Sequence, residues 1–278
     1  MDPTRLMTMR YQVVIPVLNQ LRYTRLCVDS LLAEGVPAQS LLVIDNASTD
    51  DTPKWLAEHP EIGQLRNRVN LGCGGAWAQG ALQSLEAEWV VLLNNDVLSG
   101  PNAIGAMLDA AEREGLRVVS PALLEGEDNY GFAQFAPGYV DKMRGTVRRG
   151  WFHGVCFAVH RSVFEQVGFP DTERQLGGHE DKEFLFRCLA AGIPVGTVGD
   201  AVLHHFGSIT QKALKQETKV RHLGDRHLFY RKVGLGWWGR KRYKWQEARR
   251  VAASRDTEHA RTGMTLHMLR AGDHWQEH

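Results

Sequence analysis

The run Val90-Val91-Leu92-Leu93 is apolar, too short to cross a membrane, and stops on Asn94-Asn95-Asp96. A strand buried on both faces of a sheet reads as continuous apolar sequence, and in open α/β sheets ligands sit beyond the carboxyl ends of such strands. Asp96 therefore stands where a carboxylate can meet a ligand or a metal ion, although an ordinary polar turn is the alternative for this tripeptide taken alone. A second strand-like run, Ala201-Val202-Leu203, ends on His204-His205. Imidazole with carboxylate suits Mn²⁺ or a similar divalent ion. Neighbouring strand residues point to opposite faces, so only one of the two histidines is expected to reach an ion held by Asp96. His204 is the expected ligand and His205 the alternative.

Three further segments carry polar groups at positions suited to binding or catalysis. Ile44-Asp45-Asn46-Ala47-Ser48-Thr49-Asp50 ends a strand on a carboxylate that can accept hydrogen bonds from a nucleobase; Ser48, Thr49 and Asp50 are equally good helix caps. Asn70-Leu71-Gly72-Cys73-Gly74-Gly75 opens a helix with glycines that let backbone amides approach a diphosphate, or that simply make a tight turn. Trp77 stands where a dinucleotide fingerprint needs its third glycine. Gly177-Gly178-His179-Glu180-Asp181 sets two carboxylates at a helix start, where one can act as a general base and the helix dipole favours its ionised form. A simple helix cap is the alternative there.

These groups need elements to position them. Tyr11 to Pro16 and Leu41 to Ile44 read as strands, and Leu21 to Leu32 has helical spacing. Helices follow Asp50 and Leu71 and run from Pro101 to Glu114. The alternation predicts an α/β fold with a doubly wound, mostly parallel central sheet and helices on both faces. Glu125 to Arg149 shows no helical period and is expected to form a loop or hairpin over a site. Phe152 to His160 is an expected strand, followed by a helix over Arg161 to Val167 and another from Glu180 to Ala191. Thr257 to His278 is expected to be a short helix or frayed tail. The simplest partition is one domain over residues 1–210 and a C-terminal helical extension over 211–278.

The composition fits a soluble enzyme: 278 residues, 43% hydrophobic, formal net charge +1. So small a charge gives no global drive toward nucleic acid or anionic membrane. Cys27, Cys73, Cys156 and Cys188 form no CxxC pair, and no secretory leader or long apolar span stands out, which predicts a cytoplasmic protein.

Taken together and in order, residues 11 to 210 resemble a family 2 glycosyltransferase with the GT-A fold. Val13-Val14-Ile15-Pro16-Val17-Leu18-Asn19 resembles the family's opening strand, Asp45 to Thr52 its nucleoside-binding turn, Asn70-Leu71-Gly72 its Asn-Leu-Gly element, and Asn94-Asn95-Asp96 its Asp-x-Asp metal motif. His153-Gly154-Val155-Cys156-Phe157 resembles the acceptor-side strand, Glu180-Asp181 the Glu-Asp base motif, and His204-His205-Phe206-Gly207-Ser208 the late histidine motif. Asn94 replaces the first motif aspartate, and Pro170 displaces Asp171 by one position. The most similar branch includes rhamnosyltransferase-like enzymes of bacterial polysaccharide assembly.

The resemblance implies inverting transfer of a sugar from a nucleotide donor, with dTDP or UDP favoured, to a hydroxyl of a glycan or of a lipid-linked or protein-linked acceptor. Asp181 is the implied base, supported by Glu180. Pro16, Asn19, Asp45, Asn46, Asn70, Gly72, Asn94 and Asn95 are implied along the donor, and His153 and Gly154 on the acceptor side. Asp96 and His204 would hold Mn²⁺ or Mg²⁺. Two other readings stay open: a non-catalytic sugar-nucleotide or glycan-binding protein of the same fold, and an NAD-dependent oxidoreductase.

Beyond Lys212 the charge becomes lopsided. Lys219, Arg221, Arg226, Arg231 and Lys232 precede Trp237-Trp238, and Arg240, Lys241, Arg242, Lys244 and Trp245 follow. This pattern fits either peripheral contact with anionic lipid at the inner face of the cytoplasmic membrane or a solvated helix with its tryptophans packed inward. No nucleic-acid-binding motif accompanies it.

Overall fold

The computed structural model describes residues 10–174, 178–207, 209 and 226–277. Gly177, Ser208, Lys219 and Arg221 lie outside these. The elements run β1 (Tyr11–Val17), α1 (Leu21–Ala33), β2 (Leu41–Asp45), α2 (Thr52–Ala57), β3 (Gly63–Arg66), α3 (Gly72–Gln83), β4 (Trp89–Leu93), β5 (Val97–Ser99), α4 (Ala103–Glu114) and β6 (Val118–Glu125). There follow α5 (Phe132–Met143), β7 (Val147–Arg149), β8 (Cys156–His160), α6 (Arg161–Val167), α7 (Glu180–Ala190), β9 (Val195–His205), α8 (Arg226–Lys232), α9 (Trp237–Thr262), β10 (His267–Ala271) and β11 (His274–Glu277).

One sheet runs in the order β11-β10-β6-β8-β4-β1-β2-β3, with β9 also pairing β5, β6 and β7. The β3-β2-β1-β4 half is parallel. Strand β8 then enters antiparallel between β4 and β6. Alternation along the strands feeds two cores. Val13, Ile15, Val91 and Leu93 face α1 and α4, while Val14, Val90, Leu92 and Phe157 face α3, α6 and α7. Helices thus cover both faces, as the strand–helix alternation predicts.

Two expectations are corrected. Glu125 to Arg149 is not a loop or hairpin: it holds α5, whose buried Phe132, Ala136, Tyr139, Val140 and Met143 recur at helical spacing despite Pro137. These side chains pack in a third core with Leu266 and Met268. Nor does the C-terminal segment fray or end as a helix. Strands β10 and β11 form an antiparallel hairpin, and β10 extends the sheet by pairing parallel with β6 from His267↔Leu123 to Leu269↔Glu125.

The C-terminal helix is tied to this sheet by a buried bidentate pair. Arg148 Nε and Nη2 donate to Glu258 at 2.8 and 2.7 Å, and the Leu266 amide donates to the same carboxylate at 2.8 Å. Removing one member leaves the other charge buried without its partner. Glu258→Ala is therefore expected to cost about 3–5 kcal/mol, read as a lower denaturation midpoint. A loss no larger than that of an exposed pair contradicts the assignment of Glu258 as the anchor.

Candidate active site

The ends of β1, β2 and β4 and the start of α3 meet in a network of short polar side chains. Asn19, in the left-handed region at φ 56°, accepts hydrogen bonds from the amides of Thr49 (2.7 Å) and Asp50 (3.3 Å), while its own amide donates to Ser48 Oγ at 2.8 Å. Asn19 thus holds the turn after β2 in place. Within that turn Asp45 is 1% exposed; its Oδ1 accepts from the Ser48 amide at 2.8 Å and its Oδ2 lies 3.2 Å from Arg66 Nε. Asn46 donates to the Gly72 carbonyl at 3.1 Å and accepts from Asn67 Nδ2 at 3.0 Å, joining the turn to the Gly-rich loop. Asn70 accepts from the Gly72 amide at 2.8 Å, and Gly72 has φ +79°, a conformation that favours glycine. Pro16 lies on β1 opposite Ile44 of β2.

After β4 the three motif residues separate. The Asn94 amide donates to the Val155 carbonyl at 2.8 Å, tying the motif to the loop before β8. Asn95 is buried, and its Nδ2 donates to Thr24 Oγ1 of α1 at 2.9 Å, tying the motif to that helix. Asp96 faces the late histidines. Its Oδ1 lies 3.4 Å from His205 Nε2 and its Oδ2 accepts from the Ile209 amide at 2.9 Å. Burial pushes the Asp96 carboxyl up, but His205 and that amide more than offset it and hold Asp96 below its ordinary value.

Of the two histidines it is His205, not the expected His204, that lies beside Asp96. His204 Nδ1 lies 2.9 Å from the Tyr130 hydroxyl, and its ring packs against Tyr130, Phe132 and Phe206. Burial in that aromatic layer lowers its pKa to about 4. His205 takes the opposite face and reaches Asp96. On its other side His205 Nδ1 stands 3.6 Å from Glu125 Oε1. Desolvation alone would depress the imidazole, but the two carboxylates raise it to about 9. Glu125, unnoticed in the sequence, also lies 3.3 Å from His267 Nε2 of β10. Its strand, Ala122-Leu123-Leu124-Glu125, repeats the pattern of an apolar run ending on a carboxylate.

With its proton displaced, His205 Nε2 can share a divalent ion with Asp96, because imidazole ligates only in its neutral form and ligands about 2.1 Å from a metal sit about 3 Å apart at right angles. Among the described residues no third His, Cys, Asp or Glu completes a cage. That suits a hard cation which keeps water and substrate oxygens in its shell.

The base motif opens α7. Glu180 is buried against Gly74 and accepts from the Gly178 amide at 2.6 Å. Asp181 is half-buried, and its carboxylate is pressed on Gly154: a Cβ there would lie 2.5 Å from Oδ2. Burial raises both carboxyls above their ordinary values. Desolvation outweighs the favourable helix start that the sequence suggested, so both carboxyls sit above and not below their ordinary values. The Cys73 thiol is raised first by burial and then by the charges of Glu180, Asp181 and Asp96.

His153 is buried in the loop before β8. Its Nε2 lies 2.8 Å from the Pro121 carbonyl and its Nδ1 accepts from the Cys156 amide at 3.4 Å. Both ring nitrogens are spent on backbone, and burial lowers its pKa to about 3. His153 shapes the loop, while Gly154 leaves the room that Asp181 occupies.

The family profile described as Glycosyl transferase family 2 matches residues 12–168. The chain belongs to glycosyltransferase family 2. It is 30% identical over 243 residues to the N-acetylglucosaminyl-diphospho-decaprenol L-rhamnosyltransferase of Mycobacterium tuberculosis, covering 72% of this chain and 76% of that one. The low-salt glycan biosynthesis hexosyltransferase Agl10 of Haloferax volcanii is 24% identical over 173 residues, covering 56% and 55%.

Solved structures share the fold. GalNAc-T7 with UDP, GalNAc and Mn²⁺ superimposes with a TM-score of 0.58 at 18% identity, covering 72% of this chain and 44% of that one. The mannosyltransferase PcManGT of Pyrobaculum calidifontis with GDP-Man and Mn²⁺ gives 0.53 at 21%, covering 70% and 56%. This chain spans less than two thirds of each. The protein is thus a rhamnosyltransferase-like family 2 glycosyltransferase with a GT-A-type sheet, which displaces the oxidoreductase reading.

Gly154→Ala forces a methyl group into the Asp181 carboxylate. The expected result is about a hundredfold loss of transfer rate with nucleotide binding retained. Unchanged turnover would mean that Asp181 does not work from this position.

Proposed function

We propose that this protein moves a sugar, with inversion, from a nucleoside-diphosphate donor to a hydroxyl of a lipid-linked glycan at the cytoplasmic face of the membrane. A dTDP- or UDP-linked sugar such as rhamnose is the favoured donor, in keeping with the similarity to the mycobacterial rhamnosyltransferase. The observation that carries the reading is that the loop before β8 touches both motifs: the Val155 carbonyl accepts from the Asn94 amide at 2.8 Å, and Asp181 presses on the adjoining Gly154. It sets the segment that carries Asp96 beside the loop against which Asp181 rests.

An alcohol is a poor nucleophile, so its proton must leave as its oxygen attacks the anomeric carbon. Asp181 takes that proton while the bond from the anomeric carbon to the diphosphate oxygen breaks on the opposite side. Glu180 anchors the start of α7 and keeps Asp181 against Gly154. Asp45, at the end of β2, reads the base, with Arg66 beside it; Asn19 and Asn46 hold the turns that frame the nucleotide. Pro16, Asn70 and Gly72 border the donor, and Asn94 links the motif to the acceptor loop. A divalent ion, Mn²⁺ or Mg²⁺, held by Asp96 and His205 would neutralise charge on the departing diphosphate.

The raised Asp181 carboxyl fixes a sign. The base works only when deprotonated, so the acidic limb of kcat/KM should lie above the ordinary carboxylate value of 3.8. A carboxyl whose folded pKa is raised also costs the fold stability as pH climbs through and beyond its unfolded value. Asp181→Asn is therefore expected to lower turnover about 100- to 10,000-fold while raising the melting temperature at neutral pH. An active or destabilised variant contradicts the assignment.

The two histidines separate by metal binding. His205→Ala should lose Mn²⁺ affinity in an electron paramagnetic resonance titration, whereas His204→Ala should keep it. The reverse pattern would return the ligand role to His204.

A further inference from the structure

The face of α9 that points away from the sheet carries side chains with no role in folding or in the transfer reaction. Trp238, Lys241, Arg242, Trp245 and Arg249 recur at i, i+3, i+4, i+7 and i+11, so they form one stripe along the helix. Trp238 is 76% exposed and Trp245 is 58% exposed, and the neighbouring Trp237 is 57% exposed. Large aromatic side chains left in water are uncommon, and three on two turns form a surface that something covers. Lys241 Nζ lies 3.9 Å from the Trp237 ring and the Arg249 guanidinium 4.6 Å from Trp245, which keeps charge and indole side by side.

The opposite face of α9 is already committed. Tyr243, Glu247, Arg250 and Ser254 border a groove with Leu185 and Phe186 of α7, the helix that begins with Glu180-Asp181. Tyr243 packs 6.2 Å from Phe186. Burial and then Glu247 push its hydroxyl up to about 12, with a smaller contribution from Asp181. The outer stripe thus rides on a helix that adjoins the base.

We propose that this outer stripe of α9 docks on an anionic lipid bilayer, with Trp238 and Trp245 entering the headgroup layer while Lys241, Arg242 and Arg249 meet lipid phosphates. Charge complementarity selects this occupant. Every charged side chain of the stripe is cationic, and cations interleaved with tryptophan suit the polar-to-apolar boundary of an anionic membrane. Among the described residues no helix is long and apolar enough to cross a membrane, so the contact is peripheral. That docking serves delivery of a lipid-linked acceptor rests on the transferase reading; the attraction to lipid does not.

The test is flotation of the full chain with vesicles of phosphatidylcholine alone and of phosphatidylcholine mixed with phosphatidylglycerol, at low and high salt. The expected result is partition onto the anionic vesicles only, weakened by salt, with a blue shift of tryptophan emission. Lys241→Ser and Arg242→Ser should each weaken partition about fivefold, and Trp238→Ser with Trp245→Ser should abolish the blue shift. Unchanged melting temperature and Mn²⁺ binding confirm that these variants fold. Absence of partition onto anionic vesicles overturns the proposal. So does equal partition onto neutral vesicles, or a wild-type dimer in light scattering that the tryptophan variants dissolve; none of these bears on the transfer chemistry.

Discussion

Two carboxylates, Asp96 and Glu125, flank the imidazole of His205 in a place where water is largely excluded, and the arrangement of the sheet must honour that cost. Charges this buried persist only when opposite charge or hydrogen bonds surround them. Strand β9 has to present His205 to β5 and β6 together, and the pairings Val97↔His205 and Glu125↔His205 do so. The β6–β9 register shifts between Pro121 and Ala122, where extra residues of β9 are accommodated. Continuing the Val118↔Val195 register unbroken would set Val202 opposite Glu125 and leave that acid without His205. Proline has no amide to give the ladder, so Pro121 is a natural point for the break, and its carbonyl is taken by His153.

The same constraint explains what could and could not be read in the amino-acid sequence. Strands β1, β2 and β4 are continuous apolar runs with polar ends, so their identity and the place of Asp45 and Asp96 followed from periodicity alone. The choice between His204 and His205 did not. It depends on which face of β9 meets Asp96, and a register shift distant in sequence decides that. Asn95 and His153 were named from motif positions, yet their partners, Thr24 and the Pro121 carbonyl, are contacts that only the folded chain creates.

Helix α5 was hidden by Gly131 and Pro137, although its buried positions keep a helical spacing. The C-terminal hairpin carried a weaker signal still: β10 and β11 are short, and their stability comes from pairing with β6 and from packing of Met268 and Trp275 against the α5 layer. Through this hairpin and the Arg148–Glu258 pair, residues from the far end of the chain support the acceptor side and bring His267 to Glu125. The site therefore draws on both ends of the described chain.

The central claim is that these strand ends form one metal-assisted site for a nucleoside diphosphate. A thermal-shift panel of UDP, dTDP, GDP and NAD, each with and without Mn²⁺, tests it most directly, because a ligand that binds the native state raises its apparent stability. The account predicts a rise in melting temperature with a nucleoside diphosphate that depends on Mn²⁺. Stabilisation by NAD alone, or by no member of the panel, would contradict it.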